Sequence, residues 1–563
     1  MDTLHKIKTA IRQAVGFDLD ISYPPTSELG DLSLAVFALA KVKGQNQVIL
    51  AQEISQNLEQ NKKLGSLISD VKAVGPYVNL FLNYTNLGAE VLTEIKKAKN
   101  KYGQNDSGLK AGVMIEFSNG NTHKEVHIGH LRNICFGDAI TKLLTTSGYK
   151  TIPVSYINDF GIFTAKTLWQ YQKNQKQYQA MKGSQGYILG TCYKDAVSAL
   201  EGNDASKAEV TRIMKAIESR QGEYYKLWQE TRLWSIAYLK EVYQDLGIKF
   251  KKTFYESNVI ADGLKIVSGL IKNNVLVKSE GAIIANLEKY NLGVLPIIRS
   301  DGTALYPVAD LALAVKKFKE NKITESIYIV DVRQELYFKQ LFKILELMGY
   351  QQKITHLAYD FVTLPSGMMS SRSGNVITYR ELIDESIANA ISETKAKRAD
   401  WSDRKIKKIA TEITLSTIKF EMLKVSSRKT ITFDIKEALK FEGYTATYLQ
   451  YTHARIMSIS KKSGTKKTKA DYKLLSEPAE KTLIMKLAKY PETILRATEK
   501  YDPSEVTKYL FELCQNFNDF YHNVQIIKSK TTVKAARLEL ALAVGQIIKN
   551  GLELLGIQAI NEI

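Results

Sequence analysis

The sequence predicts a multidomain α/β protein: a parallel-sheet domain with a helical insertion, an α+β unit before it and an all-α domain after it. Three observations lead there. Between residues 113 and 157 a strand, a helix and a second strand follow one another through short turns, the signature of a Rossmann-type parallel sheet. From about 166 to 285, long polar helices bearing tyrosine and tryptophan interrupt that alternation. From about 405 to 563 the apolar periodicity is almost wholly helical. A chain of 563 residues is too long for one core, and its length suits about three to four domains.

The elements follow in order. Residues 1–100 are the first unit, with helical spacing at Leu32, Val36, Leu39 and Ala40 and strand alternation over residues 77–83. The polar, glycine-punctuated run 96–108 reads as a linker. Residues 110–380 form the parallel-sheet domain. Its first strand is expected at 113–117, a polar turn at 118–126, a helix at 129–147 stopped by Gly148, and a second strand at 152–157. Alternation resumes near 281–286 and 326–330, so the insertion at about 166–285 separates two halves of one sheet. A helical connector covers 381–420, and residues 421–563 form the last domain, which carries a basic loop at 461–469.

Composition narrows the partners. There are 78 Lys+Arg against 59 Asp+Glu, a formal charge of +19 and a pI near 9.3. Such an excess favours a polyanion, because each cation that meets a phosphate releases a counterion; net charge also serves solubility. Cys135, Cys192 and Cys514 are odd in number and far apart, which argues against disulfides or a zinc ribbon. No run reaches the roughly 18 apolar residues of a membrane span. The first residues hold no apolar signal core, so a cytoplasmic protein with no membrane partner is expected.

Two segments carry chemistry. The turn from Asn121 to His130 lies between a strand and a helix N-terminus, where free N–H groups and the helix dipole attract anions. Gly129 allows a flat base or a phosphate to approach the backbone. His127 and His130, three apart, share one side of the first turn and can donate to a phosphate, and Lys124 adds a positive charge. His123, His127 and His130 could instead be zinc ligands, but no cysteine or nearby carboxylate completes a set, so no protein metal site is expected. The second segment, residues 367–376, combines glycines, Ser370, Ser371 and Arg372 after the short apolar strand 361–364. It can close over a triphosphate or be an ordinary surface turn.

His127-Ile128-Gly129-His130 and the 367–376 segment resemble, in order and placement, the two signatures of class I aminoacyl-tRNA synthetases. Within that class the chain resembles arginyl-tRNA synthetases along nearly its whole length. The similarity is carried by Glu116-Phe117-Ser118 with Asn121, Lys124 and residues 127–132, and by Asn158-Asp159-Phe160-Gly161. It continues in Phe441-Glu442-Gly443 with residues 448–455, and in residues 23–41 including Gly30-Asp31. The second signature departs from its usual form. Met368 and Ser371 replace two lysines, Ser373 stands where a basic residue is common, and Arg372 is the loop's only cation.

The resemblance implies an arginine–tRNA ligase that forms arginyl-adenylate from ATP and passes arginine to the 3′ end of its tRNA. It assigns Lys124, His127, His130, Ser370, Ser371 and Arg372 to catalysis, and His127, Gly129, His130, Met369 and Ser370 to ATP. Asp310 and Tyr306 would bind the guanidinium, Asn121 and Glu116 the amino-acid end with its ammonium, and Gln334 would complete the pocket. A guanidinium is planar, always charged and rich in donors, so carboxylates suit it. Tyr337 departs from the histidine of many relatives. The N-terminal unit would grip the tRNA elbow, and the last domain, of DALR type, would read the anticodon with Tyr448, Tyr451, His453 and Arg455. ATP and its Mg2+, L-arginine and tRNA(Arg) are the expected cofactors and partners of a monomer. A catalytically weak or inactive tRNA-binding paralogue is the alternative that the depleted loop supports.

Overall fold

The computed structural model describes residues 2–367, 377–440, 442–464 and 468–563. At its centre lies a five-stranded sheet of β1 (Gly112–Glu116), β2 (Lys150–Ile157), β3 (Lys252–Tyr255), β4 (Glu325–Asp331) and β5 (Lys353–Tyr359). The strands run in space as β5-β4-β1-β2-β3, every neighbouring pair parallel. The order reverses between β1 and β4. In such sheets ligands bind beyond the carboxyl ends of the strands at that reversal. Val113, Met114 and Ile115 of β1 are buried, as a strand covered on both faces requires.

Helix α1 (Ile128–Thr146) follows β1 and is buried nearly all round, because it passes between the sheet and the helices Asp403–Leu423 and Tyr490–Glu499. A Cβ on Gly137 would meet the Phe117 ring at 2.1 Å, so glycine is what lets α1 press onto β1's end. Helices α2 (Tyr306–Glu320) and α3 (Glu335–Leu347) flank β4 in sequence and bring their N-termini to the same edge of the sheet.

The parallel sheet departs from expectation in one place. The strand near 281–286 exists, as Ala282–Asn286, but it pairs antiparallel with Val277–Ser279 and Val294–Ile298 in a separate sheet. The parallel sheet instead continues through β3, inside the expected insertion. Four residues with a polar start, at the sheet's edge, are too short for periodicity to reveal. The helical interruption consists mainly of Ile162–Lys173, Gln185–Ala199, Asp204–Glu218 and Gly222–Asp245.

In the N-terminal unit a four-stranded antiparallel sheet runs Ile21–Ser22, Leu32–Ala35, Tyr77–Leu82, Ile68–Val74, packed by the helices Thr3–Val15, Gln47–Glu59 and Tyr84–Ala98. The alternation at 77–83 forms its strand. Leu32 belongs to a strand as well, and helix begins only at Phe37. Leu32, Leu34 and Val36 also fit a period of two, and pairing with Tyr77–Leu82 decides between the periods. Helix also runs into the run 96–108. Beyond it, Tyr102 is buried, stacks on Tyr490 at 6.2 Å and donates to the Leu487 carbonyl at 3.3 Å. That segment is therefore docked on the C-terminal helices, where Leu449, Ile456, Leu510, Phe517 and Ile547 form a core. Among the described residues no helix is long and apolar enough to cross a membrane.

Candidate active site

The turn after β1 is built around reciprocal caps. His127 is the N-cap of α1: its Nδ1 accepts from the Gly129 N–H at 3.2 Å, while His130 Nδ1 accepts from the His127 N–H at 3.1 Å. The two rings stack at 3.7 Å. Burial, with Lys124 nearby, lowers His127 to about 4; burial, then His127 and Lys124, holds His130 well below its ordinary value. Both rings are therefore neutral near pH 7. With each Nδ1 accepting, the proton resides on Nε2, which gives two fixed donors beside a helix N-terminus. His123 has a different part. It is fully buried, its ring bonded to Thr122 Oγ1 at 2.9 Å and Thr231 Oγ1 at 2.8 Å, and it pins the turn to the helix Gly222–Asp245. Lys124 Nζ lies 4.9 Å and 4.5 Å from the centroids of Phe163 and Tyr193.

Beside this turn opens a cavity of about 660 Å3 at the reversal between β1 and β4. It brings together Glu116, Asn121, Tyr306, Asp310 and Gln334 with Lys124 and His130. Tyr306 is 61% exposed at the start of α2, and Asp310 lies one turn deeper. Tyr337 on α3 donates its hydroxyl to Asp310. Burial pushes the Asp310 carboxyl up to about 7.

One residue that the sequence did not single out lies close enough to Asp310 for their charges to repel. Glu256 follows β3, is buried, and is raised to about 8, first by burial and then by the charges of Asp310 and Asp159. Asp159 is satisfied by Arg232 at 2.5 Å and Ser257 at 2.7 Å. Asp310 and Glu256 form no ion pair among the described residues. Two desolvated acids, Glu256 buried and Asp310 half-buried, with no ion-pair partner are a destabilising arrangement unless a cationic ligand completes it. Glu116 contrasts with them. It is ion-paired with Lys317, the two being 2% and 0% exposed. The signal for Glu256 was absent from sequence because β3 itself was invisible.

Residues 368–376, with Met369, Ser370, Ser371 and Arg372, lie outside the described residues. Both flanks of that segment converge on α1. On one side Ile128 N–H donates to the Ile377 carbonyl at 3.3 Å and Tyr379 N–H to the Val126 carbonyl at 2.7 Å. On the other, the buried Arg132 guanidinium donates to the carbonyls of Asp360 and Phe361, and to those of Ser426, Ser427 and Lys429. The strand Val362–Thr363 pairs parallel with Ile431–Thr432 beside it.

Comparison with known proteins gives this geometry its kin. The family model described as tRNA synthetases class I (R), catalytic domain, matches residues 91–435. The arginyl tRNA synthetase N terminal domain matches 2–82, and the DALR anticodon binding domain 449–563. The arginine–tRNA ligase of Bdellovibrio bacteriovorus is 36% identical over 549 residues, 95% of this chain and 93% of that protein. The chain belongs to the arginyl-tRNA synthetase family. The arginine–tRNA ligase of Halothermothrix orenii is 32% identical over 96% of the chain and 94% of its own length. The Thermus thermophilus arginyl-tRNA synthetase superposes with a TM-score of 0.83 at 26% identity, over 99% of this chain and 100% of that one.

In the part matched by the family's DALR domain, the residues expected to meet tRNA divide. Tyr451 is 40% exposed, and the Arg455 guanidinium lies 4.8 Å from its ring and 5.1 Å from that of Tyr521, another half-open ring that the sequence reading missed. Arg455 also donates to Asn518 at 2.9 Å, as Asn518 does to Tyr448 at 2.8 Å. His453 does not join them. It is 3% exposed with its ring bonded to the Ile560 carbonyl at 2.9 Å, because two positions after Tyr451 the helix has turned to its core face. Tyr448 is half-buried and packs on Phe511.

Proposed function

We infer that the chain is an arginine–tRNA ligase that joins L-arginine to tRNA(Arg) at the expense of ATP. One observation carries the reading: Asp310, which forms no ion pair among the described residues, lines the same cavity as His130 at a helix N-terminus with neutral imidazole donors, and Glu256 lies within electrostatic reach of Asp310. A permanently charged planar cation completes the acids, and a polyphosphate completes the turn. The kinship over nearly the whole chain supports the same pairing.

In the first step a carboxylate oxygen of arginine forms a bond to the α-phosphorus of ATP, and the bond to the bridging oxygen breaks to release pyrophosphate. Such chemistry needs in-line placement and charge stabilisation more than a proton-transfer group. The Nε2–H donors of His127 and His130, with Lys124, hold the phosphate oxygens as their charge grows, and Gly129 packs under the adenine. Ser370, Ser371 and Arg372 close on the pyrophosphate, with Met369 and Ser370 against the nucleotide. Magnesium arrives with ATP as part of that substrate. In the second step the terminal ribose hydroxyl of tRNA attacks the acyl carbon, the bond to AMP breaks, and the hydroxyl proton leaves with AMP or solvent. Tyr451 and Arg455 offer stacking planes to unpaired bases. Action in the cytoplasm as a monomer accompanies this reading.

ATP–pyrophosphate exchange with each amino acid, with and without tRNA, tests the proposal. Exchange driven by arginine alone among the amino acids supports it. Retained tRNA binding without exchange or charging would favour the inactive paralogue instead.

A further inference from the structure

The cation at the turn, Lys124, ends a long side chain with many rotamers, so a phosphate arriving there benefits only if the ammonium is already held in place. Among the described residues Lys124 forms no ion pair. The acid next to it in the chain, Glu125, is paired instead with Lys194 at 3.0 Å. The Lys124 ammonium lies over two rings, 4.5 Å from the centre of Tyr193 and 4.9 Å from that of Phe163. A ring face attracts a cation through its quadrupole and leaves the positive charge in being. A carboxylate in the same place would attract the ammonium more strongly, but it would neutralise it and compete with the phosphate.

Both rings come from the helical insertion, Phe163 from the helix Ile162–Lys173 and Tyr193 from Gln185–Ala199. The second helix meets the turn along one face. A Cβ on Gly190 would come within 2.1 Å of Glu125 Cγ, so glycine is what admits that side chain. Three residues on, Tyr193 lies under Lys124, and Lys194 closes on Glu125. His123, just before them, is bonded to Thr231 on the helix Gly222–Asp245. Helices of the insertion therefore grip three successive residues of the turn.

We propose that Tyr193, with Phe163 beside it, is a positioning residue for adenylate formation: the two rings seat the Lys124 ammonium at the cavity without neutralising it, while Lys194 occupies the neighbouring carboxylate. This rests on the reading of Lys124 as the turn's phosphate-binding cation. The insertion thereby acts on the first chemical step through Lys124, and the rate of that step follows the ring face at position 193.

Pyrophosphate exchange by the full chain, with arginine and tRNA, tests this. Tyr193→Leu should lower kcat about threefold to thirtyfold, the range that a lost cation–ring contact spans, with the arginine KM and the urea midpoint little changed. Tyr193→Phe keeps the ring face and should hold kcat within about twofold. In a Lys124→Met chain the leucine substitution should add no further loss, because its effect runs through the lysine. Equal kcat in the leucine and phenylalanine variants, or a leucine loss of the same size with and without Lys124, overturns the proposal. The leucine–phenylalanine contrast decides alone if the Lys124→Met chain is too slow to measure, and Tyr193→Met replaces the leucine variant if that one fails to fold. Full exchange by Lys124→Met would refute the phosphate role of Lys124 itself and the proposal with it, whereas the other failures leave that role standing.

Discussion

Acidification should weaken arginine binding steeply, and the structure sets the size of the effect. Burial raises the Asp310 carboxyl from 3.8 to about 7 and Glu256 from 4.5 to about 8. A guanidinium binds the ionised acids, so below these values each site must first lose a proton. Between about pH 8 and about pH 6, Asp310 alone raises the arginine KM about tenfold, and a requirement for ionised Glu256 steepens the slope toward two decades per unit. Stability runs the opposite way. A carboxyl raised in the fold contributes stability that is fully present below its unfolded value, near 4, and is lost as pH rises through about 7. The full rise is equivalent to about 4 kcal/mol. Asp310→Asn should therefore stabilise the unliganded protein by about 1–4 kcal/mol near pH 8 while raising the arginine KM at least about a hundredfold. Charging kinetics across pH, with urea unfolding of both proteins, measure the two effects. An arginine KM that stays flat from about pH 6 to about pH 8, or an asparagine variant less stable than its parent there, would refute the reasoning.

Two further outcomes test the scaffold around the site. Lys317→Met strands Glu116 as a buried charge and should cost about 3–5 kcal/mol by urea unfolding, most of it recovered by Glu116→Gln in the same chain; additive losses would contradict the pairing. Arg132→Lys leaves most of five backbone carbonyls without their donor, so pyrophosphate exchange should slow with little change in the arginine KM, and unaltered exchange would remove α1's anchor from the account.

What the sequence determined by itself was the local and the strongly periodic. β1, the turn and α1 were legible because an apolar strand, polar punctuation and a long helix each carry their own pattern. The motif residues were legible because their chemistry is local: His127 and His130 are three apart, and Tyr306 and Asp310 are one turn apart on α2. Tertiary structure alone decided how each charge is used. Glu116 and Asp310 are equally acidic in sequence. Lys317 neutralises one of them, while burial, against the hydrogen bond from Tyr337, leaves the other an acid in search of a cation. His453 and Arg455 are two residues apart on one helix, yet the turn of that helix sends one to the core and the other between two exposed rings. Burial and pairing depend on segments far apart in the chain, and a low-dielectric interior multiplies the consequence of each contact. The identity of the chemical groups is therefore written in the sequence, and their protonation and their availability to a ligand are set by the fold.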